Sequence, residues 1–172
     1  MLSRPELSRA INAAARLQGV FTLRSGVTAS EYFDKYRFES DPVLLLAVAR
    51  HLAERLSQDF DALAGLEMGG IPIATLLSQV TEKPALFIRK KAKDYGTCRL
   101  AEGGEVHGRR LLIVEDVVTS GGAIFDAVRE LRGEGAVIKD VVCVIDREAG
   151  GRENLAREGL VLTALFTKSE LG

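Results

Sequence analysis

Two adjacent carboxylates and a small polar turn stand out in the middle of the chain. Glu115 and Asp116 follow the apolar run 111–114, and the turn 119–122 (Thr-Ser-Gly-Gly) precedes an amphipathic run over 123–131. The apolar run predicts a buried strand of a parallel sheet, and the amphipathic run predicts a helix. Backbone N–H groups in such a turn can bind a phosphate, and the helix N-terminus favours negative charge. Carboxylates beside an anion site suit a ligand with both phosphate and hydroxyls or a metal ion, such as a sugar phosphate with Mg²⁺. The spacing alone also allows an ordinary strand–turn–helix with a capping Thr or Ser.

Cations cluster in a long connection before this strand. Residues 89–93 carry four cationic side chains, at the start of about twenty residues rich in charge and glycine that run to residue 108. Long connections inside compact domains often act as functional lids. A diphosphate would neutralise such a cluster, so we favour a lid over a solvated surface loop. A separate arginine, Arg147, could pair bidentately with a carboxylate or an imide edge.

The order of predicted strands and helices in the rest of the chain indicates the fold. Strands alternate with helices from residue 62 onward, which indicates a parallel sheet with helices on its faces. Ligands bind beyond the carboxyl ends of such strands. The loops expected there are 67–70, 89–108, 115–122 and 146–152. Before residue 62 we expect a helix over 5–17 ended by Gly19, a short strand at 20–23, an exposed strand over 32–38, and a helix from Asp41-Pro42 to about residue 57.

Composition narrows the class of protein. The 172 residues suit one domain, and 47% hydrophobic residues are enough for a core. The formal net charge of −1 gives no global indication of a nucleic-acid or membrane partner. The apolar runs are far shorter than a membrane span, and the two cysteines lack metal-ligand spacing. We therefore expect a soluble cytoplasmic protein.

Four stretches resemble one family. The run 114–122 (Val-Glu-Asp-Val-Val-Thr-Ser-Gly-Gly) resembles the phosphoribosyl pyrophosphate (PRPP) motif of type I phosphoribosyltransferases. The runs 21–26, 89–96 and 146–155 resemble, in order, the N-terminal loop, the flexible catalytic loop and the orotate-binding corner of orotate phosphoribosyltransferases. The resemblance implies one domain over 1–172: a central parallel sheet flanked by helices, with a small N-terminal hood over about 1–40.

The resemblance also implies an activity and its residues. Orotate and Mg²⁺-bound PRPP would give orotidine 5′-monophosphate and pyrophosphate, in uridylate synthesis. Lys93 and Asp116 would be catalytic, and Thr119, Arg147 and Phe33 would bind orotate. The family brings Mg²⁺ on PRPP without direct protein ligands, and its lid (here 89–108) reaches the neighbouring site of a homodimer. The PRPP-binding residues would be Arg24, Arg89, Lys90, Lys93, Tyr95, Glu115, Asp116, Val117, Val118, Thr119, Ser120, Gly121, Gly122 and Ala123.

Several positions depart from the family pattern. Tyr95 stands where a lid histidine is usual, and Met68-Gly69 replaces the usual Tyr-Lys, which removes one cation. Two other functions use the same fold. One is transfer to a purine base, which the anion-pairing Arg147 disfavours. The other is a PRPP- or nucleotide-sensing regulator without turnover, which would not need a cationic lid.

Overall fold

The computed structural model describes residues 2–22, 26–92 and 99–171. The strands are β1 Arg16–Thr22, β2 Thr28–Phe33, β3 Ala62–Leu66, β4 Ala85–Ile88, β5 Ala101–Glu102, β6 Arg110–Val118, β7 Val137–Asp146 and β8 Val161–Thr167. The helices are α1 Arg4–Ala15, α2 Tyr36–Glu39, α3 Pro42–Ala53, α4 Gly70–Thr81, α5 Gly122–Gly133 and α6 Gly151–Arg157, followed by a 3₁₀ turn over Lys168–Leu171. None of the described helices has the length and apolar character needed to span a bilayer.

Six strands form the central sheet, in the order β5-β4-β3-β6-β7-β8. All neighbours are parallel except β4 and β5, which are antiparallel. This arrangement confirms the predicted α/β class with a largely parallel sheet. Because β3, β6 and β7 run side by side in the same direction, the loops that follow them meet at one edge.

Period-two alternation along β6 divides the core between the two faces of the sheet. Leu112 and Val114 join a cluster with the N-terminal helices, whereas Leu111 and Ile113 join a cluster with α5 and α6. The alternation continues through Asp116 and ends there, because Val117 packs on the first cluster and Val118 joins the second. It therefore directs Glu115 and Asp116 toward opposite faces.

The N-terminal segment differs from the prediction. α1 ends at Ala15, where its buried face of Leu7, Ile11 and Ala15 ends, and Gly19 lies within β1 and does not terminate the helix. β1 pairs with β2 in an antiparallel hairpin, so the chain extends from Arg16. The expected strand over 32–38 is wrong after Phe33, because α2 follows and buries Phe38 in the core.

The ends of two other elements, α3 and β6, also differ from the prediction. α3 begins as predicted, with Asp41 Oδ1 accepting hydrogen bonds from the N–H groups of Val43 and Leu44 at 2.8 and 3.1 Å, but it ends at Ala53. β6 does not stop before the acidic pair: it pairs with β7 as far as Val118. The 89–108 connection contains the short strand β5, so its described part is not wholly irregular.

Candidate active site

The acidic pair lies inside β6, which fixes both side chains. Asp116 is fully buried, and its Oδ1 accepts a hydrogen bond from the Val117 N–H at 2.6 Å. Glu115 Oε1 accepts a hydrogen bond from the Asp116 N–H at 3.0 Å. The strand directs Glu115 toward the cationic connection and Asp116 toward the N-terminal hood. The Glu115 side chain nevertheless bends back toward its neighbour, so the two carboxyl groups remain close enough to interact.

Hood residues complete the surroundings of Asp116. Lys35 Nζ lies 2.5 Å from Asp116 Oδ2. Glu39, one helical turn further along, is 6% exposed. Among the described residues, no donor reaches either oxygen of Glu39, whose carboxyl group interacts with that of Asp116. Three carboxylates, Glu39, Glu115 and Asp116, thus share one lysine.

Burial and mutual repulsion set the charges of these groups. Burial raises the pKa of Glu115 to about 9, and the charge of Asp116 adds to the rise. Burial likewise raises the pKa of Glu39 to about 8, again with a contribution from Asp116. Burial opposes ionisation of Asp116 as well, but hydrogen bonds with Glu115 and Lys35 outweigh it and lower the pKa of Asp116. Asp116 is therefore the charged member of the cluster at neutral pH.

The turn after β3 packs directly on this cluster. A Cβ atom added to Gly69 would overlap Asp116 Oδ2, and one added to Gly70 would overlap the Val114 carbonyl oxygen. The peptide between Glu67 and Met68 is cis. The two glycines are therefore required by the close approach of the turn to β6.

A cavity of about 270 Å³ adjoins Glu115. Its lining includes Glu67, Arg89 and Lys90, together with residues of α5. The Lys90 N–H donates a hydrogen bond to Glu67 Oε2 at 2.9 Å, which ties the cationic connection to the glycine turn. The structure thus brings Arg89 and Lys90 beside Glu115 of the acidic pair. Three other predicted PRPP-binding residues lie outside the described residues: Arg24, Lys93 and Tyr95.

The polar turn after β6 has the geometry of an anion site. Gly121 adopts φ +87° at the start of α5, a conformation that favours glycine. Thr119, Ser120 and Gly122 are exposed at the helix N-terminus, with Ala123 exposed in the first turn. Val117 and Val118 lead into the turn from β6. The free N–H groups of this turn and the helix dipole are available to a phosphate.

A second cavity, of about 200 Å³, lies between the hood and the end of β7. Arg147 lines it with Tyr32 and Phe33 from β2, and the lining also includes Lys168 and the ion pair between Arg16 and Glu31, at 3.7 Å. The Arg147 N–H donates a hydrogen bond to the Val118 carbonyl at 2.8 Å, which joins this cavity to the polar turn. Phe33 and Arg147 are therefore brought together. Thr119 is not part of this lining, and its carbonyl packs against Gly151.

Comparison with known proteins identifies the family. The phosphoribosyl transferase domain model matches residues 41–162. The orotate phosphoribosyltransferase of a Nocardioides species is 56% identical over 165 residues, covering 96% of this chain and 92% of the relative. The chain belongs to the orotate phosphoribosyltransferase family. The enzyme of that name from Halobacterium salinarum is 41% identical, over 99% of this chain and 98% of its own.

Solved structures of the family share the fold. The orotate phosphoribosyltransferase of Mycobacterium tuberculosis, in complex with Fe(III) dicitrate, matches with a TM-score of 0.89 and 32% identity over 98% of both chains. A structure of the same protein in complex with PRPP matches with a TM-score of 0.84 and 29% identity, also over 98% of both chains. The family assignment therefore rests on sequence and fold together.

Sequence reasoning missed Lys35 and Glu39, and also Arg16 and Lys168. The first two stand four residues apart, as an ion pair on a helix would, but the alternating pattern of 32–38 predicts a strand. In a strand, side chains four residues apart are too far from each other to form an ion pair. A correct α2 assignment would have placed both side chains on one face.

Proposed function

We propose that the protein transfers the 5-phosphoribosyl group from PRPP to orotate, giving orotidine 5′-monophosphate and pyrophosphate. The observation that carries this proposal is the hydrogen bond between Arg147 and Val118, which sets a cationic cavity beside a phosphate-type turn and an acidic pair. The cavity suits an anionic planar base, because Arg147 can pair with its carboxylate while Phe33 covers its ring.

In this proposal, different residues bind different groups of PRPP. We assign the ribose hydroxyls to Glu115 and Asp116, and the 5-phosphate to the backbone of 117–123. Arg89 and Lys90 would face the pyrophosphate across the cavity that they line. By resemblance, Arg24, Lys93 and Tyr95 complete the PRPP-binding set, and Thr119 assists Arg147 and Phe33 at the base.

Electrostatics accounts for the chemistry. Breaking the bond between ribose C1 and pyrophosphate leaves positive charge on the ribose and negative charge on the leaving group. A negative Asp116 favours the first, and cations of the 89–93 cluster favour the second, where these charges develop. Excluding water from the closed site would prevent hydrolysis of PRPP. No histidine dyad is needed, because little proton transfer is required of the protein.

Magnesium belongs with the substrate in this proposal. Within the described residues, no three side chains of His, Cys, Asp or Glu converge on a point that could hold a metal ion. The site nevertheless fits a hard cation that arrives on a diphosphate, because carboxylate oxygens of Glu115 and Asp116 adjoin the cavity and the buried turn. When bound, Mg²⁺ would neutralise charge on the leaving pyrophosphate.

The assembly completes the proposal. We expect a cytoplasmic homodimer in which residues 1–172 act as one domain, and in which the 89–108 connection of each subunit serves the neighbouring site. Pyrimidine nucleotide synthesis is the corresponding metabolic role. Each of these points derives from the family resemblance.

A base-panel assay tests the reaction. Purified protein with Mg²⁺ and PRPP is offered orotate, uracil, hypoxanthine, xanthine or adenine, and base consumption and pyrophosphate release are followed together. Orotate should be consumed with one pyrophosphate released per base. Turnover of a purine without orotate would favour the purine-base alternative. Tight PRPP binding without turnover of any base would favour the regulator.

A further inference from the structure

Lys35 holds the oxygen of Asp116 that a ribose hydroxyl would be expected to use. Its ammonium lies 2.5 Å from Asp116 Oδ2, the oxygen that Gly69 also approaches closely. The other oxygen, Oδ1, already accepts the Val117 N–H. A hydroxyl that binds Asp116 must therefore share Oδ2 with the ammonium or displace it.

Glu39 offers the displaced ammonium a second partner. Lys35 and Glu39 are four residues apart across α2, a spacing that brings side chains together on a helix. Glu39 is buried, and no donor from the described part of the chain reaches its oxygens, although its protonated form can donate a hydrogen bond to Asp116. Its charge already interacts with that of Lys35. Ionisation of Glu39 without a donor would be costly, so its carboxylate form is favoured only when a cation lies beside it.

We propose that Lys35 is a positioning residue that passes from Asp116 to Glu39 when the ribose of PRPP binds. In the free protein the ammonium neutralises Asp116 and keeps it ordered. In the complex the ribose hydroxyls occupy Asp116, and Lys35 pairs with Glu39, which becomes ionised, so the buried cluster gains one negative charge. The hood thereby senses whether the ribose site is filled.

This exchange changes the protonation of Glu39. The charged groups acting on Glu39 are Asp116 from β6, and Lys35 and Asp34 from its own segment. Burial beside Asp116 raises the pKa of Glu39, so this carboxyl group holds a proton at neutral pH in the free protein. Arrival of the ammonium favours the carboxylate, and a proton leaves. PRPP binding should therefore release a proton that a variant without the Glu39 carboxyl cannot release.

A double-mutant cycle on binding of Mg²⁺–PRPP tests the exchange. The Glu39→Gln variant keeps the shape but removes the charge that receives Lys35, so its Kd for PRPP should rise about tenfold. In a Lys35→Met background the same change should alter Kd less than about twofold, because no ammonium remains to be moved. Lys35→Arg keeps the cation and should restore the sensitivity to Glu39→Gln. Lys139→Met, on an exposed lysine of β7, is the matched control and should leave Kd unchanged.

The second readout is calorimetric. PRPP binding measured in buffers of different ionisation enthalpy should release about one proton fewer in Glu39→Gln than in the unaltered protein. Thermal melting confirms that each variant is folded. An equal effect of Glu39→Gln on Kd in both backgrounds, or no change in proton release, would overturn the exchange. The inference rests on the proposed use of PRPP, but these measurements need no base, so failure of orotate turnover in the base-panel assay would be seen separately.

Discussion

At the scale of single residues, Asp116 differs from the other two carboxylates of its cluster. It is fully buried, its pKa is lowered by Glu115 and Lys35 despite burial, and it is the charged member of its cluster. Its neighbour Glu115 has a raised pKa and serves the cavity on the other face of β6. The two acids are adjacent in sequence but are not interchangeable in the structure.

Asp116→Asn should therefore impair chemistry more than binding. The amide can still accept a hydrogen bond from a ribose hydroxyl, but it does not stabilise positive charge on the ribose. We expect kcat to fall about 100-fold or more, with a much smaller change in the Kd for PRPP. Steady-state kinetics with a parallel binding titration measures both. Equal losses in kcat and binding would assign Asp116 to ground-state binding alone.

At the scale of elements, the turn from β3 into α4 sets the distance between two parts of the site. Gly69→Ala would push a methyl group into Asp116, so the turn must shift away from β6. We expect at least a tenfold loss of kcat/KM for PRPP with a folded protein, because small misplacements of site groups cost about this much or more. Gly133→Ala is the matched control, since nothing lies within 4 Å of its added Cβ. Kinetics and thermal melting on both variants check the prediction, and comparable activity in the two would contradict it.

At the opposite end of the sheet, a pH-dependent ion pair connects the start of β3 with the start of β6. Asp61 Oδ2 accepts the Arg110 N–H at 2.8 Å, and Asp61 Oδ1 pairs with Arg110 Nη2 at 2.6 Å. The Arg110 side chain thereby holds the pKa of Asp61 below its usual value of 3.8. A lowered carboxyl pKa contributes stability above pH 3.8, and this stability is lost as the pH falls toward the lowered pKa.

Asp61→Asn should accordingly lower the melting temperature at pH 7. The difference from the unaltered protein should shrink as the pH falls below 4, because protonation of Asp61 in the unfolded chain then favours unfolding. Asp126→Asn breaks an exposed ion pair with Arg129 on α5 and serves as the control with little effect. Thermal melts across the pH range measure the difference. A constant difference between pH 7 and pH 3 would show that charge on Asp61 is not the source.

At the scale of the whole molecule, the features that depend on chain order were predictable from the sequence, and the contributions of the hood were not. The parallel strands from residue 62 onward and the clustering of Arg89 and Lys90 near Glu115 were predictable, because β–α alternation fixes which loops share an edge. The short antiparallel strand β5 was not predicted. Lys35 and Glu39 were not, because they reach Asp116 from a segment distant in sequence. The prediction that Gly19 ends the first helix was wrong for a similar reason. The pairing of β1 with β2 places Gly19 in a strand.

The proposed dimer makes a prediction about mixed subunits. Lys93→Ala and Asp116→Asn should each be nearly inactive as pure proteins. If Lys93 serves the neighbouring subunit, hybrids with one subunit of each kind contain one intact site, and random mixing should restore about a quarter of full activity. Denaturing and refolding the two variants together, with each refolded alone as the control, provides the measurement. No recovery would place Lys93 at the site of its own subunit.

The most direct test of the central claim compares orotate with uracil, which differ by one carboxylate. The measurement is kcat/KM for each base in the unaltered protein and in Arg147→Ala. We predict a strong preference for orotate, and a rise of tenfold or more in the KM for orotate when Arg147 is removed, because a charge-assisted hydrogen bond contributes about 1.5–3 kcal/mol. Similar use of both bases, or an Arg147→Ala variant with unchanged orotate kinetics, would contradict the assignment of this cavity to orotate.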